Sequence, residues 1–138
     1  MFKAITSDDI SAFQAILGDR CFIDEDSLEK YSHDETEDIS ILPMVVLKPN
    51  SPEEVSAIMK HCYAENICVT PSGARTGLSG GAIPVHGGVA LSMEKFDRIL
   101  NIDENNHQVI TEPGVITEVL QNTVREKGLF YQIGRAHV

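Results

Sequence analysis

The 138-residue chain lacks tryptophan, has few basic residues and contains no long apolar run. Its 21 acidic against 11 basic residues give a net charge of −10. This excess argues against nucleic acid or an anionic membrane as a partner, since both are negatively charged. No apolar run approaches about 18 residues, so we expect no transmembrane segment. The first residues lack the basic-then-apolar pattern of a secretory signal, and we expect a cytoplasmic protein.

Cysteine and histidine give no sign of a metal site or a catalytic constellation. The three cysteines have no CxxC spacing, and we expect Cys62 and Cys68 to be reduced core residues. No Ser/His/Asp or Cys/His arrangement can be assigned, so no catalytic residue is predicted. Four histidines have no second His or Cys at ligand spacing and are expected to be ordinary surface residues: His33, His61, His86 and His107.

One local absence stands out against this acidic background. From Asn66 to Met93, 28 residues contain no Asp or Glu, whereas an even spread of the acids would place about four there. Within this stretch lie Gly73, Gly77, Gly80 and Gly81, joined by hydroxyls and one arginine. Glycine permits positive φ and close approach of a ligand, and successive N–H groups can form an anion-binding concavity. The stretch predicts a phosphate-binding loop, with a plain surface turn as the alternative.

The loop differs from two well-known phosphate motifs. A Walker loop needs GxxxxGK[ST], and no Lys follows Gly77 or Gly80. The GxGxxG spacing is missing, and Ala82-Ile83-Pro84 continues as loop where the dinucleotide motif begins a helix. We therefore expect phosphate to bind through the loop's own amides and hydroxyls, with Gly77 at positive φ.

Hydrophobic periodicity predicts an α+β arrangement around this loop. The chain is predicted to begin with a helix over Ser7–Leu17, which Gly18 ends, and an acidic irregular segment to Ser40. A strand over Met44–Leu47 follows, and then a helix from Ser51 to Asn66 whose buried stripe is Val55, Ile58, Met59 and Cys62. The remaining predicted elements are strands over Ile67–Thr70, Val89–Ser92 and His107–Thr111 and a helix over Thr117–Lys127. The loop then follows the carboxyl end of a strand, where open α/β sheets bind ligands.

Two acidic runs, Asp24–Asp26 and Asp34–Asp38, precede the first predicted strand. A metal site is one interpretation of such runs. Because no Asp/Asn-Gly calcium-loop spacing accompanies them, we interpret both runs as solvated surface.

The segment Arg75-Thr-Gly-Leu-Ser-Gly-Gly81, between Val69–Gly73 and Gly87–Met93, resembles the pyrophosphate-binding loop of the FAD-linked oxidases of the vanillyl-alcohol-oxidase type. The nearest branch is that of glycolate oxidase and D-lactate dehydrogenase. Supporting segments follow the expected order: Tyr31–Thr36, Met44–Val55 and Val109–Val115. The resemblance covers residues 20–131. It implies a FAD-binding domain with a small strand–helix–strand subdomain and the start of a second mixed sheet.

The resemblance also implies the residues that bind FAD. They are Gly73, Ala74, Arg75, Thr76, Gly77, Leu78, Ser79, Gly81 and Ala82, with the Thr76 and Ser79 hydroxyls as phosphate donors and Pro113 and Gly114 as a further contact. Arg75 stands where many relatives carry a small residue, and it either adds a charge to the pyrophosphate or points to solvent. Relatives that attach FAD covalently through this loop use a His near this position. None is present, so we expect non-covalent FAD.

By resemblance, the complete protein is a flavin-dependent oxidoreductase acting on a small 2-hydroxy acid such as glycolate or D-lactate. An iron–sulfur domain or subunit is a candidate electron acceptor. The loop alone equally suits a phosphate- or nucleotide-binding module without redox activity. Relatives continue with a second glycine-rich FAD loop, so we expect this chain to be an inactive N-terminal fragment.

The expected divisions are an N-terminal helix and acidic segment (1–39), a partial FAD-binding domain (40–131) and a non-native tail (132–138). The tail is inferred because Ile133–Val138 matches one reading frame of a common sequencing-adapter oligonucleotide.

Overall fold

The computed structural model describes residues 1–132, so all of the expected tail except Gln132 lies outside the described residues. The chain forms two compact units, Met1–Lys95 and a second that begins at Phe96. The first unit contains α1 (Ser7–Leu17), a 3-10 turn (Gly18–Arg20), β1 (Cys21–Phe22), α2 (Glu25–Lys30), β2 (Val45–Leu47), α3 (Pro52–Ala64), β3 (Val69–Ser72) and β4 (Val89–Ser92). The second contains β5 (Ile99–Asp103), β6 (Gln108–Thr111) and α4 (Thr117–Arg125). The sequence-based division at residue 40 stays a prediction.

A four-stranded sheet in the order β1-β2-β4-β3 forms the centre of the first unit. Strands β2, β4 and β3 are parallel, and β1 pairs antiparallel with β2. One face packs against α1 and α3 through a core that includes Phe13, Leu17, Ile58 and Cys62. The opposite face packs against Tyr31. Because both faces are covered, every residue of β2 and β4 is buried, as in parallel sheets generally.

Local sequence signals account for the helices of this unit. Helix α1 begins at a capping box in which Thr6 and Asp9 exchange hydrogen bonds, and it ends before Gly18, as predicted. Helix α3 begins after Ser51, whose hydroxyl accepts from the Glu54 N–H, with Pro52 in its first turn. Both predicted helices are confirmed, as is β4.

The strand before the glycine loop lies two residues later than predicted, at Val69–Ser72. Its pairing with β4 runs from Val69 opposite Val89 to Ser72 opposite Ser92 and includes Pro71. Proline fits here because β3 is an edge strand, so its missing N–H breaks no ladder on the open side. Strand pairing, which periodicity does not reveal, therefore sets the point at which the loop begins.

Two sequence-based interpretations of the helices and irregular segments in the first unit were wrong. The segment to Ser40 is not wholly irregular: β1 pairs with β2, and α2 begins where the Asp24 carboxylate accepts from the Ser27 N–H. Met59 is 44% exposed, so it does not belong to the buried stripe of α3. It lies one residue, or about 100°, beyond the buried Ile58, which turns it away from the sheet.

The second unit consists of an antiparallel β5–β6 hairpin and α4. Helix α4 buries Leu120 and Val124, as its periodicity predicts. Strand β5 was not predicted, because its residues are exposed or half-buried and form no apolar run. Strand β6 begins at Gln108, since His107 has a φ of 52° in the preceding turn. In the part of the chain that the structure describes, no helix is long and apolar enough to span a membrane.

A polar cluster around the buried Asp9 joins helices α1 and α3 on one side of the sheet. Asp9 is 2% exposed, and its Oδ1 lies 2.9 Å from His61 Nε2. Lys3 Nζ lies 3.1 Å from Asp9 Oδ2. His61 is therefore not an ordinary surface histidine. Burial acts to raise the pKa of Asp9, but the Thr6 N–H and hydroxyl, His61 and Lys3 outweigh it and hold the pKa well below its usual value.

We expect Asp9→Asn to destabilise the fold by about 2 kcal/mol at pH 7, because it removes the charge that these donors bind. A carboxyl group whose pKa is lower in the folded state stabilises the fold above about pH 3.9, its pKa in the unfolded chain. This stabilisation is lost as the pH falls towards the pKa of the folded state. Urea unfolding of both proteins should therefore show a difference that shrinks between about pH 5 and about pH 2. An equal difference at both pH values would contradict the role of the Asp9 charge.

Candidate functional site

The glycine-rich loop begins directly after Ser72, at the carboxyl end of β3, and the chain returns to the sheet at Val89. The loop contains no helix or strand. Its first residues lie beside the end of β4, because Ser72 pairs with Ser92 and the Met93 N–H donates to the Ser72 carbonyl at 2.9 Å. The sheet thus fixes where the loop starts but leaves its shape to other contacts.

A short segment, residues 34–36, supplies those contacts. The Glu35 N–H donates to the Gly77 carbonyl at 3.1 Å. The Gly80 N–H donates to the Thr36 hydroxyl at 2.7 Å. Gly80 has a φ of 72°, a left-handed conformation that glycine adopts without steric cost. The 34–36 segment therefore holds the loop at two points, Gly77 and Gly80.

The backbone conformation of Gly77 differs from the positive φ that the sequence suggested. It is not among the glycines with positive φ, a conformation that Gly80 takes instead. A Cβ at Gly77 would meet only Asp34 Oδ2, at 3.9 Å, which is ordinary contact. Any requirement for glycine at position 77 therefore comes from what approaches the loop, because the backbone and the packing would accept a side chain.

Asp34 lies within the acidic run that the sequence assigned to solvent, yet it is only 6% exposed. Its Oδ1 accepts from the Thr36 N–H at 2.8 Å, whereas its Oδ2 is buried and has no hydrogen-bond partner among residues 1–132. The nearby Thr36 hydroxyl lowers the pKa of Asp34, and the Thr36 and Ala82 N–H groups lower it further against the effect of burial. The Ala82 N–H acts from outside hydrogen-bonding geometry. Asp34 is thus an ionised side chain facing the loop, and sequence reasoning missed it.

The Arg75 side chain stacks on the ring of Tyr31. This contact differs from both expectations for Arg75, a side chain in solvent or one directed at the pyrophosphate. Its guanidinium carbon is 4.1 Å from the centroid of the Tyr31 ring, a cation–π distance. Its φ of 57° is unusual for a residue with a side chain. Tyr31 is 3% exposed, and its hydroxyl lies 2.7 Å from Glu94 Oε2 and 3.0 Å from Ser92 Oγ. The sheet thereby anchors the ring that carries Arg75.

Glu94 completes this anchor. Its second carboxylate oxygen, Oε1, lies 2.9 Å from Lys48 Nζ, just beyond the end of β2. Burial acts to raise the pKa of Glu94, but Lys48 and the Tyr31 hydroxyl hold it below its usual value. The ionised Glu94 therefore accepts from the tyrosine and fixes the ring beneath Arg75.

The remaining predicted site residues lie along the same loop. Ala74, Thr76, Leu78, Ser79 and Gly81 are exposed or half-buried, as are Gly73 and Ala82. Pro113 and Gly114 belong to the second unit, where the Gly114 N–H donates to the Phe96 carbonyl at 2.7 Å, so their contact with FAD stays a prediction. Within residues 1–132, no three His, Cys, Asp or Glu side chains converge as metal ligands would.

The donors and acceptors around the loop fit a dinucleotide. Besides Asp34 Oδ2, the Ser72 hydroxyl is buried without a partner among the described residues. A Cβ at Gly81 would meet nothing within 4 Å, so this part of the backbone is open to a ligand. Loop amides and hydroxyls suit phosphate oxygens, and a carboxylate oxygen suits a sugar hydroxyl. FAD presents both kinds of group.

Comparison with known proteins agrees with this chemistry. A family model described as a FAD binding domain matches residues 43–137. D-lactate dehydrogenase of Anaerostipes hadrus is 37% identical over 94% of this chain and 28% of its own length. D-2-hydroxyglutarate dehydrogenase of Stutzerimonas stutzeri (strain A1501) is 36% identical over 80% of this chain and 24% of its own length. The crystal structure of p-cresol methylhydroxylase with substrate bound superposes with a TM-score of 0.78 at 26% identity, covering 94% of this chain and 27% of that one.

The fold and the loop define a flavoprotein domain of the vanillyl-alcohol-oxidase type. The chain belongs to the FAD-binding domain family, and its cofactor is FAD. It spans about a quarter of the curated relatives it matches, 28% and 24% of their lengths.

We expect Arg75→Ala to loosen the loop more than Arg75→Gly. Alanine keeps the left-handed strain of about 1–2 kcal/mol and loses the stacking on Tyr31, whereas glycine loses the stacking but also relieves the strain. Amide hydrogen exchange across residues 74–80 should be fastest in the alanine variant. Arg125→Ala, which removes an arginine of α4, is the control and should leave that exchange unchanged. Exchange as slow in the alanine variant as in the wild type would show that the stacking contributes nothing.

Proposed function

We propose that this chain is the FAD-binding part of a flavin-dependent oxidoreductase that oxidises a small 2-hydroxy acid. The observation that carries the proposal is the glycine loop, which the 34–36 segment holds at the carboxyl end of β3 with amides and hydroxyls available to an anion. The substrate class is supported by relatives whose names specify D-lactate and D-2-hydroxyglutarate, both 2-hydroxy acids. FAD supplies the hydride acceptor when bound.

The residues of this chain bind and orient the cofactor. We assign the pyrophosphate to the backbone of Gly73–Gly77 and again to Gly81 and Ala82. The hydroxyls of Ser72, Thr76 and Ser79 donate to phosphate oxygens. Ala74 and Leu78 provide apolar contact to the cofactor. Leu78 is available for this contact because it is 72% exposed. Arg75 adds positive charge near the loop while it stacks on Tyr31.

Several finer features stay predictions. They include the iron–sulfur electron acceptor and the cytoplasmic location expected from the sequence. The 2-hydroxy acid itself is proposed to bind outside the described residues, because the chain spans only 28% and 24% of the two dehydrogenases. Non-covalent attachment is proposed because position 75 carries arginine, which forms no flavin bond.

We expect Gly77→Val to weaken FAD binding at least about tenfold while the far-ultraviolet circular dichroism stays unchanged. The valine methyls occupy space that phosphate oxygens need, and this position requires no positive φ. Flavin fluorescence titration measures the affinity, and acid precipitation of the wild-type complex should release all flavin to the supernatant. Gly77→Ala, with one methyl, should give an intermediate loss. Normal affinity in a folded valine variant would contradict the assignment of this loop.

We expect the 138-residue chain alone, with FAD added, to give no dye reduction with D-lactate, glycolate or D-2-hydroxyglutarate. Hydride transfer requires the hydroxy acid to be held against the flavin, and we assign that task to residues outside this chain. Turnover that depends on substrate would mean that the residues described here as structural include the catalytic groups. A chain that fails to bind FAD at all would favour the module without redox activity.

A further inference from the structure

We infer that Asp34 contacts the cofactor directly, and that its Oδ2 accepts a hydrogen bond from a sugar hydroxyl of FAD. The inference rests on the proposed FAD site and adds a contact outside the glycine loop. In this arrangement the loop recognises the phosphates of FAD, and Asp34 recognises one of its sugars.

The position of Oδ2 is the first argument. The atom is buried, has no hydrogen-bond partner among residues 1–132, and would be 3.9 Å from a Cβ at Gly77. Asp34 cannot turn away freely, because Oδ1 is held by the Thr36 N–H and the next residue, Glu35, is bonded to the Gly77 carbonyl. A buried carboxylate oxygen without a donor is costly, so a fixed one facing a binding loop indicates a donor in the ligand.

The chemistry of the carboxylate identifies that donor. An ionised carboxylate only accepts hydrogen bonds, and the lowered pKa keeps Asp34 ionised at neutral pH. Phosphate oxygens also only accept, so they repel Oδ2. The ribityl chain and the adenosine ribose carry hydroxyls that donate. Asp34 is therefore favourable to a complete dinucleotide and unfavourable to a bare phosphate compound.

Replacing Asp34 should change the affinities for FAD and for inorganic pyrophosphate in opposite directions. Asp34→Asn keeps the shape and the acceptor for the Thr36 N–H but removes the charge. FAD should bind about tenfold more weakly, since a hydrogen bond to a charged group is worth about that factor. Inorganic pyrophosphate should bind more tightly at low salt, because a like charge has been removed. Isothermal titration of the wild type and the variant gives both affinities.

Glu35→Gln is the matched control, because it removes one exposed negative charge next in sequence to Asp34. It should leave the ratio of FAD affinity to pyrophosphate affinity unchanged, whereas Asp34→Asn lowers that ratio about tenfold or more. If Asp34 only supported the loop, its substitution would weaken both ligands together and the ratio would hold. That result overturns the inference and leaves the proposed function intact.

Two FAD analogues test the contact without changing the protein. One lacks the adenosine ribose hydroxyls and the other lacks the ribityl hydroxyls. We expect one of them to bind the wild type about tenfold more weakly than FAD and to show no such loss with Asp34→Asn. The affected analogue identifies the sugar. Equal losses in both proteins overturn the inference, and failure of the wild type to bind FAD overturns the proposed function as well.

Discussion

The hydrogen bond from the Gly80 N–H to the Thr36 hydroxyl, 2.7 Å long, is the constraint on which the site depends. A loop rich in glycine has many backbone conformations, and ordering it costs more entropy than ordering any other kind of segment. No helix N-terminus follows this loop to orient its amides. The 34–36 segment takes that role by fixing Gly77 and Gly80 from outside. In the proposed site, phosphate would meet amides that are already ordered, which reduces the entropic cost of binding.

The 34–36 segment follows closely on Tyr31, which the sheet holds in place. The ring packs against Val46 and Ala90, and its hydroxyl reaches Ser92 and Glu94 at the end of β4. Arg75 stacks on the same ring. The parallel strands therefore position both walls of the site: β3 leads directly into the loop, and β4 holds the tyrosine from which the second wall extends.

Sequence reasoning found the features that are encoded locally. The capping box of α1, the Ser51-Pro52 start of α3 and the glycine loop each depend on residues close together in the chain. It failed where distant segments meet. The absence of acids from Asn66 to Met93 suggested a loop free of negative charge, yet folding brings Asp34 to face it. A count along the chain cannot detect a carboxylate that lies far upstream of the loop.

The same limit explains two other errors. His61 looked isolated because its partner Asp9 lies 52 residues away, on another helix. The glycine at position 77 suggested positive φ there because glycine permits that conformation. In the structure Gly80 takes it instead, and the Gly80 N–H donates to the Thr36 hydroxyl. In both cases the decisive contact is tertiary.

The most direct test is a titration of the isotope-labelled 138-residue chain with FAD, followed by backbone amide chemical shifts. If the 34–36 segment and the glycine loop form one cofactor site, the amides of residues 73–82 and of residues 34–36 will shift together with the same apparent Kd. Shifts confined to the glycine loop, with residues 34–36 unmoved, would contradict that account.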